Sequence, residues 1–459
     1  MQLFSTSTYK DRQAKLIQKM GSGIVWIPGN TESPLNYKDN IYHFRQDSTF
    51  RYFFGLNLPN LHIVLDCSSG KSTLYGDDYS IDDIIWVGPQ KPLAEYAELC
   101  NIDEVRPLSE LEQRLSSNKD AQFLPPYRHD HMILAGQLFG LDPKEIEKQA
   151  SQKLIQAVVD IRSYKTAEEI VQMEDAVNVT RLMHLAAMRS TAVGKYEYEV
   201  VAEIRRALQS QHCELSYPVI FSVNGQTLHN HHHDNKMEDG RLVLNDSGAE
   251  NLYGYAGDIT RTFPVNGKFT SKQKEIYDLV LKMEVDCIEM LKPSVTYRSV
   301  HLAAYKIMLD GMKDLGLVKG DVEEMIADGV GGLFMPHGLG HMIGMDVHDM
   351  ENLGEQRVGY GDMKRSTQLG LKSLRLAREL EENFVLTVEP GIYFIPQLIE
   401  KMKHEGKWEN YVNYNALEAY YDFGGVRIED DVQVTANGSK ILGKPIPKTI
   451  VEVEETMQN

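Results

Sequence analysis

Five separate segments of this 459-residue chain each carry a side chain able to bind a divalent metal. Asp246 ends the apolar run Leu242-Val-Leu-Asn, and Asp258 precedes Ile259-Thr-Arg-Thr-Phe after a turn containing Gly254. His341 closes His337-Gly-Leu-Gly-His341, Glu389 ends Leu386-Thr-Val-Glu389 before Pro390-Gly391, and Glu429 lies in Val426-Arg-Ile-Glu429-Asp-Asp. Carboxylates with histidine and no cysteine suit Mn²⁺, Co²⁺ or Zn²⁺ in a hydrolytic site better than a structural zinc. Four carboxylates are too many for one ion. Shared between two ions about 3.5–4 Å apart, they neutralise the pair and clamp a bridging hydroxide. The chain therefore reads as a dinuclear metallohydrolase.

Local sequence bears on each group. An antiparallel hairpin would put Asp246 and Asp258 on one face, where like charges need a cation between them. His337 and His341 have the spacing of a helical zinc-peptidase pair, but Gly338, Gly340 and Gly344 disfavour helix, and Gly338 stands where an HExxH motif has its glutamate. A glycine-rich segment instead lets backbone approach a metal or substrate, with His341 as ligand and His337 and His348 beside the substrate. Glu389 ends an apolar strand, so its carboxylate must be paired or metal-bound. In a strand Glu429 shares a face with Arg427 and Asp431, and Arg427 is placed to fix a neighbouring ligand carboxylate. In the tract His229-Asn-His231-His-His233-Asp234, His229 is expected to join the site and the others to be solvated.

Two domains should carry these groups, 1–160 and 161–459, since the chain is too long for one ordinary core. From Ser22 to Val87 short apolar runs alternate with turn residues, and Ile24–Ile27, Leu61–Leu65, Ser72–Tyr75 and Ile84–Val87 read as strands of an α/β domain. Pro143 with Glu145 and Glu147 suits the first turn of a helix. Thr166-Ala-Glu-Glu169 and Thr270-Ser-Lys-Gln273 are capping boxes, each opening a long helix ahead of strand text, an α+β order that hints at an internal duplication. Residues 350–373 read as a surface loop near His348, placed for a lid or a tolerated insertion, and 396–421 as a helical excursion.

A formal charge of −18 argues against nucleic acid or an acidic membrane surface as partner and for a small substrate. Four scattered cysteines, Cys67, Cys100, Cys213 and Cys287, read as reduced thiols, and the polar amino terminus shows no signal or span, so a cytoplasmic protein is expected.

Taken in order, Asp246-Ser-Gly-Ala-Glu, Tyr255-Ala-Gly-Asp-Ile-Thr-Arg-Thr-Phe-Pro264, Phe334-Met-Pro-His-Gly-Leu-Gly-His341, Asp346-Val-His-Asp349, Thr387-Val-Glu-Pro-Gly-Ile-Tyr393 and Gly424-Gly-Val-Arg-Ile-Glu429 resemble the proline-directed pita-bread metallopeptidases, prolidase and aminopeptidase P. Phe44-Arg-Gln-Asp-Ser-Thr-Phe50 extends the likeness into the amino-terminal region. The resemblance implies an α/β amino-terminal domain followed by an α+β pita-bread catalytic domain, and cleavage of Xaa-Pro bonds. It implies that Asp246, Asp258 and Glu429 hold one metal, and Asp258, His341, Glu389 and Glu429 the other, with Mn²⁺ favoured. It gives His229, His337 and His348 places around the substrate, and Glu389 a part in assisting the hydroxide. Arg375 sits where prolidases have an arginine for a dipeptide's carboxylate, which favours a prolidase over an aminopeptidase acting on longer peptides. A homodimer is expected. Asp246 and Asp258 are twelve apart, one more than this branch's spacing, and the surplus should lie in the turn near Asn251–Gly254 or in a bulge. The complete ligand set argues against a creatinase-like hydrolase, which works without a dinuclear metal, and against an inert pita-bread binding module.

Overall fold

The computed structural model describes residues 2–118 and 120–458. The chain forms two compact units, Met1–Arg162 with Asn352–Gly354, and Ser163–Glu351 with Glu355–Asn459.

The first unit is built on a four-stranded sheet in the order Ile24–Pro28, His62–Asp66, Lys71–Tyr75, Glu104–Arg106. The first three strands are antiparallel and the last is parallel to its neighbour, because the chain crosses over through the helix Leu93–Leu99. Ser48–Phe54 is a wholly buried helix, its first turn closed by Asp47, whose carboxylate accepts from the Phe50 N–H at 2.8 Å.

Two expectations fail in this unit. Ile84–Val87 is not a strand but belongs to the helix Ile81–Val87, started by a reciprocal Ser80–Asp83 capping box. Its apolar residues face outward, with Trp86 85 % exposed. A four-residue apolar run carries no period, and here the cap decides. Pro143 does not begin a helix either. The helix His129–Phe139 stops at left-handed Gly140, only a 3₁₀ turn at Ile146–Gln149 follows, and the next helix is Gln152–Arg162.

The second unit runs twice through a helix pair followed by sheet. Ala167–Ser190, capped by Thr166 with Glu169, packs on Glu197–Gln209, and the chain then forms a sheet in the order Ile259–Pro264, Leu242–Ser247, Ile220–Ser222. Ser271–Met290, capped by Thr270 with Gln273, packs on Tyr297–Asp314 before the sheet of Val385–Val388, Asp430–Thr435 and Gly438–Ile441 and the pair Gly391–Tyr393 with Gly425–Arg427. Every residue of Leu242–Ser247 and Ile259–Pro264 is buried, so both faces of these strands are covered.

The stretch after Asp349 is less loop-like than its composition. A π-helical turn at Gln356–Tyr360 and a 3₁₀ turn at Leu371–Ser373 fold together, with Tyr360, Leu371, Leu374 and Ala377 buried in one cluster and the Tyr360 hydroxyl donating to Leu374 O at 2.6 Å. Pro396–His404 is helical, with proline in its first turn. All four cysteines are buried and unpaired, and among the described residues no helix is long and apolar enough to cross a membrane.

Candidate metal centre

Strand register places the aspartates. Thr260 lies opposite Asp246, and Asp258 stands two residues before Thr260, so the period of two turns both carboxylates to one face. The surplus residue of the connection is absorbed outside this ladder. Ala249–Glu250 pairs with Glu214–Leu215, and Asn251 Oδ1 accepts from the Tyr253 and Tyr255 N–H groups in a turn with Gly254 at φ 84°.

The Tyr217 hydroxyl lies 2.6 Å from Asp246 Oδ1 and 2.5 Å from Asp258 Oδ1. A phenol has one proton to donate, so the second short contact calls for a proton on a carboxyl or for a cation.

His341 comes from the non-helical glycine segment, where a methyl group on Gly340 would overlap the Thr387 carbonyl oxygen. Its Nδ1 lies 3.1 Å from Met342 O; a carbonyl only accepts, so Nδ1 carries the proton. Nε2 is thereby the nitrogen turned to Asp258 Oδ2 and Glu389 Oε1, each 3.5 Å away, protonated toward them without a cation and the one a metal would take. Asp258, His341 and Glu429, all buried, each offer an atom within 4.8 Å of the others. Glu429 Oε2 accepts from the Thr260 hydroxyl at 2.6 Å.

Electrostatics supports a cation here. Burial, then Asp258, Glu389 and Asp246, hold the Glu429 carboxyl well above its usual range. Burial pushes Glu389 up to about 7 against the pull of His341 and Arg427, and it raises Asp246 despite Arg427. Burial also pushes Asp258 up, yet His341 outweighs it and keeps that carboxyl low. His341 itself is opposed by burial but carried up to about 9 by Asp258 and Glu389. A buried cluster that lifts most of its acids and its base together is short of positive charge. Four carboxylates and an imidazole with Nε2 turned inward fit two hard-to-borderline divalent ions.

A hydrogen-bonded chain borders this centre. Arg427 reaches Asp246 Oδ2 at 2.5 Å, Thr260 Oγ1 at 3.0 Å and the Tyr393 hydroxyl at 2.8 Å. Tyr393 lies 2.9 Å from His337 Nε2, and His337 Nδ1 donates to Gly338 O at 2.7 Å, so the tyrosine is the donor to an unprotonated Nε2. Burial, then Arg427, pushes His337 down to about 3 and keeps it neutral. His348 stacks on His341 with ring centroids 3.8 Å apart, and its Nδ1 lies 3.0 Å from Glu351 Oε2. Arg375 Nη1 holds Glu351 Oε2 at 2.7 Å and Glu355 Oε1 at 3.0 Å.

Three consecutive acids have three environments. Glu429 faces the centre, Asp430 binds Arg261 at 2.6 Å and Lys448 at 2.7 Å, and Asp431 Oδ2 accepts from the Asp258 N–H at 3.0 Å.

One cavity of about 400 Å³ is lined by His229, Asp246, Asp258, His337, His341, His348, Arg375, Glu389, Arg427 and Glu429 together with Tyr217, Pro218, Ile220, Leu228 and Val347. The ten residues singled out from sequence are thus brought together, with His229 on the exposed rim. His231, expected to be merely solvated, lines the cavity too. Arg375, expected as a clamp for substrate, already holds two carboxylates. Sequence reasoning missed Tyr217, Thr260, Tyr393 and Glu351. Thr260 and Tyr393 lie inside motifs quoted for the family and alternate with ligands at strand period, a usable signal; Tyr217, ahead of Pro218, gives none.

Comparison with known proteins agrees with this geometry. The model of metallopeptidase family M24 matches residues 171–436, and that of the aminopeptidase P N-terminal domain matches 9–123. A probable Xaa-Pro aminopeptidase of Fusarium vanettenii is 32 % identical, over 99 % of this chain and 97 % of its own length. The human Xaa-Pro dipeptidase is also 32 % identical, over 95 % of this chain and 88 % of its own. The solved structure of zinc-substituted Escherichia coli aminopeptidase P in complex with product superposes with a TM-score of 0.82 at 30 % identity, covering 100 % of this chain and 99 % of that one. The chain belongs to metallopeptidase family M24, with an aminopeptidase P N-terminal domain ahead of a pita-bread catalytic domain.

Proposed function

We propose that this chain hydrolyses the peptide bond between a first residue and a following proline. The observation that carries the reading is the convergence of Asp246, Asp258, His341, Glu389 and Glu429 with three histidines in one cavity. Asp246, Asp258 and Glu429 would hold one divalent ion, and Asp258, His341, Glu389 and Glu429 a second, with Mn²⁺ the favoured metal. When bound, such a pair supplies a Lewis acid for the scissile carbonyl and lowers the pKa of water.

The protein's own groups do the rest. Thr260 and Arg427 orient Glu429 and Asp246 by direct hydrogen bonds. Glu389 takes the proton of the attacking water. His337 is fixed as a neutral imidazole with both nitrogens engaged, by Gly338 O and Tyr393, and so shapes the site beside the substrate, whereas His348 turns Nδ1 to Glu351 and keeps Nε2 to accept or pass a proton near the leaving nitrogen. His229 on the rim meets the substrate as it enters. Pro218, Ile220, Leu228 and Val347 give an apolar wall against which a pyrrolidine ring packs. Proline carries no amide hydrogen, so such a wall loses nothing on taking it.

The test is hydrolysis by metal-stripped protein reloaded with Mn²⁺, using Ala-Pro, Ala-Pro-Ala and Ala-Ala-Ala, with Glu389→Gln as control. Cleavage restricted to the proline peptides, restored by metal and lost in the variant, is expected. Equal cleavage of Ala-Ala-Ala, or none of any peptide, would refute the reading.

A further inference from the structure

Glu351 and Glu355 lie outside the motifs that carry the family likeness, yet both bind Arg375 at the cavity wall. A guanidinium recognises a free carboxylate through a positive charge not otherwise compensated. Here Arg375 Nη1 faces Glu351 Oε2 at 2.7 Å and Glu355 Oε1 at 3.0 Å. The side chains are 36 %, 20 % and 26 % exposed, so water screens these charges only in part. Each glutamate is tied down further. Glu355 also pairs with Arg365, and the same Glu351 oxygen accepts from His348 Nδ1. Lys372 O accepts from Arg365 and so keeps that second cation on its own side of Glu355. A carboxylate arriving at Arg375 therefore meets a cluster whose two anions already balance its two cations, with both anions set directly on Arg375. A neutral amide or main-chain carbonyl meets no such penalty and can still use the remaining guanidinium donors.

We propose that Glu351 and Glu355 are specificity-determining residues that neutralise Arg375, turning the site away from the free carboxylate of an Xaa-Pro dipeptide and toward substrates that continue, or end in a neutral group, beyond proline. The proposal rests on the Xaa-Pro reading above. Glu351 acts on substrate through Arg375, and through His348 it also positions an imidazole. Glu355 touches Arg375 without touching His348, which separates the two effects.

The experiment compares kcat/KM of the Mn²⁺-loaded full chain for Ala-Pro, its carboxamide Ala-Pro-NH₂ and Ala-Pro-Ala. The carboxamide differs from the dipeptide in charge and not in length. In the unmodified protein the carboxamide should exceed Ala-Pro by about tenfold, the scale of one partly screened charge–charge interaction. Glu355→Gln and the double variant with Glu351→Gln should shrink that ratio toward unity, chiefly by lowering KM for Ala-Pro, and Arg375→Gln in the double background should cancel the gain. Losses through His348 affect every substrate and drop out of the ratio. If Glu351→Gln misfolds, Glu355→Gln alone decides. A ratio near unity in the unmodified protein, or one that the glutamine variants leave unchanged, overturns the proposal while leaving Xaa-Pro cleavage intact. Failure to cleave any proline peptide overturns both.

Discussion

Thr260 offers the sharpest test of how the ligand shell is held. Its hydroxyl donates to Glu429 Oε2 at 2.6 Å and accepts from Arg427 Nε at 3.0 Å, and the residue is completely buried. Thr260→Val keeps the shape and removes both bonds. Each involves an ionisable partner, so the metal-free protein should lose about 2–4 kcal/mol. Removing a group that orients a ligand typically weakens metal binding about 10–100-fold. At a Mn²⁺ concentration a hundred times the original Kd, binding stabilises the folded state by about 2.7 kcal/mol; after a thirtyfold loss of affinity the same concentration gives about 0.9 kcal/mol. Calorimetric titration with Mn²⁺ and urea unfolding with and without the metal read both quantities, and Thr260→Ser should restore most of each. A folded Thr260→Val that binds Mn²⁺ within twofold of the unmodified protein would refute the argument that Thr260 holds Glu429 in place.

Other consequences can be measured alongside. His184 and His301 are wholly buried and pushed down to about 3 by desolvation, with Arg261 and Arg298 respectively adding to it. The unfolded chain takes up those protons below about 6.5 while the folded one cannot, so each histidine contributes a loss of about 1.4 kcal/mol per unit below that pH, opposite in sign to the raised carboxyls of the centre; it is read as the difference in urea midpoint between the unmodified protein and His301→Phe, followed from pH 7.5 to 5. A difference that stays constant over that range would contradict it. Gly340→Ala, forced against the Thr387 carbonyl, should cost about 3 kcal/mol or more and weaken the Mn²⁺-induced rise in Tm, because the displaced strand carries Glu389. Trp86→Ser should change stability by no more than about 0.5 kcal/mol, given the outward-facing helix, whereas a buried strand would lose several times that.

The five ligand-type residues were legible because each sits where strand alternation or a glycine segment leaves an acid or imidazole with no bland use. The capping boxes at Thr166 and Thr270 were legible because they are local chemistry, complete within four residues. Ile84–Val87 was misread for the converse reason: the deciding residues, Ser80 and Asp83, lie outside or at the edge of the apolar run, and exposure is not written in it. Tyr217 depends on a long-range approach to two aspartates, and nothing in its neighbours records that. Arg375 was legible as a pocket residue but not as a neutralised one, since Glu351 and Glu355 are 24 and 20 positions away in the chain. Charge pairing across a folded turn of that length is invisible to spacing rules.

The run Glu429-Asp430-Asp431 acts as a frame marker for the whole catalytic unit. Neighbouring acids of nearly equal chemistry are assigned to three non-interchangeable sockets: the centre, the Arg261–Lys448 cation pair, and the Asp258 amide. Inserting or deleting one residue in the turn around Phe423–Gly424 would leave the local sequence just as acidic and the strand just as able to pair. It would also offer the centre an acid from the wrong frame while leaving buried Arg261 without its carboxylate, so composition would be preserved and assembly lost. Tolerance to length changes should therefore drop abruptly at this turn while remaining ordinary in the helical excursion just before it.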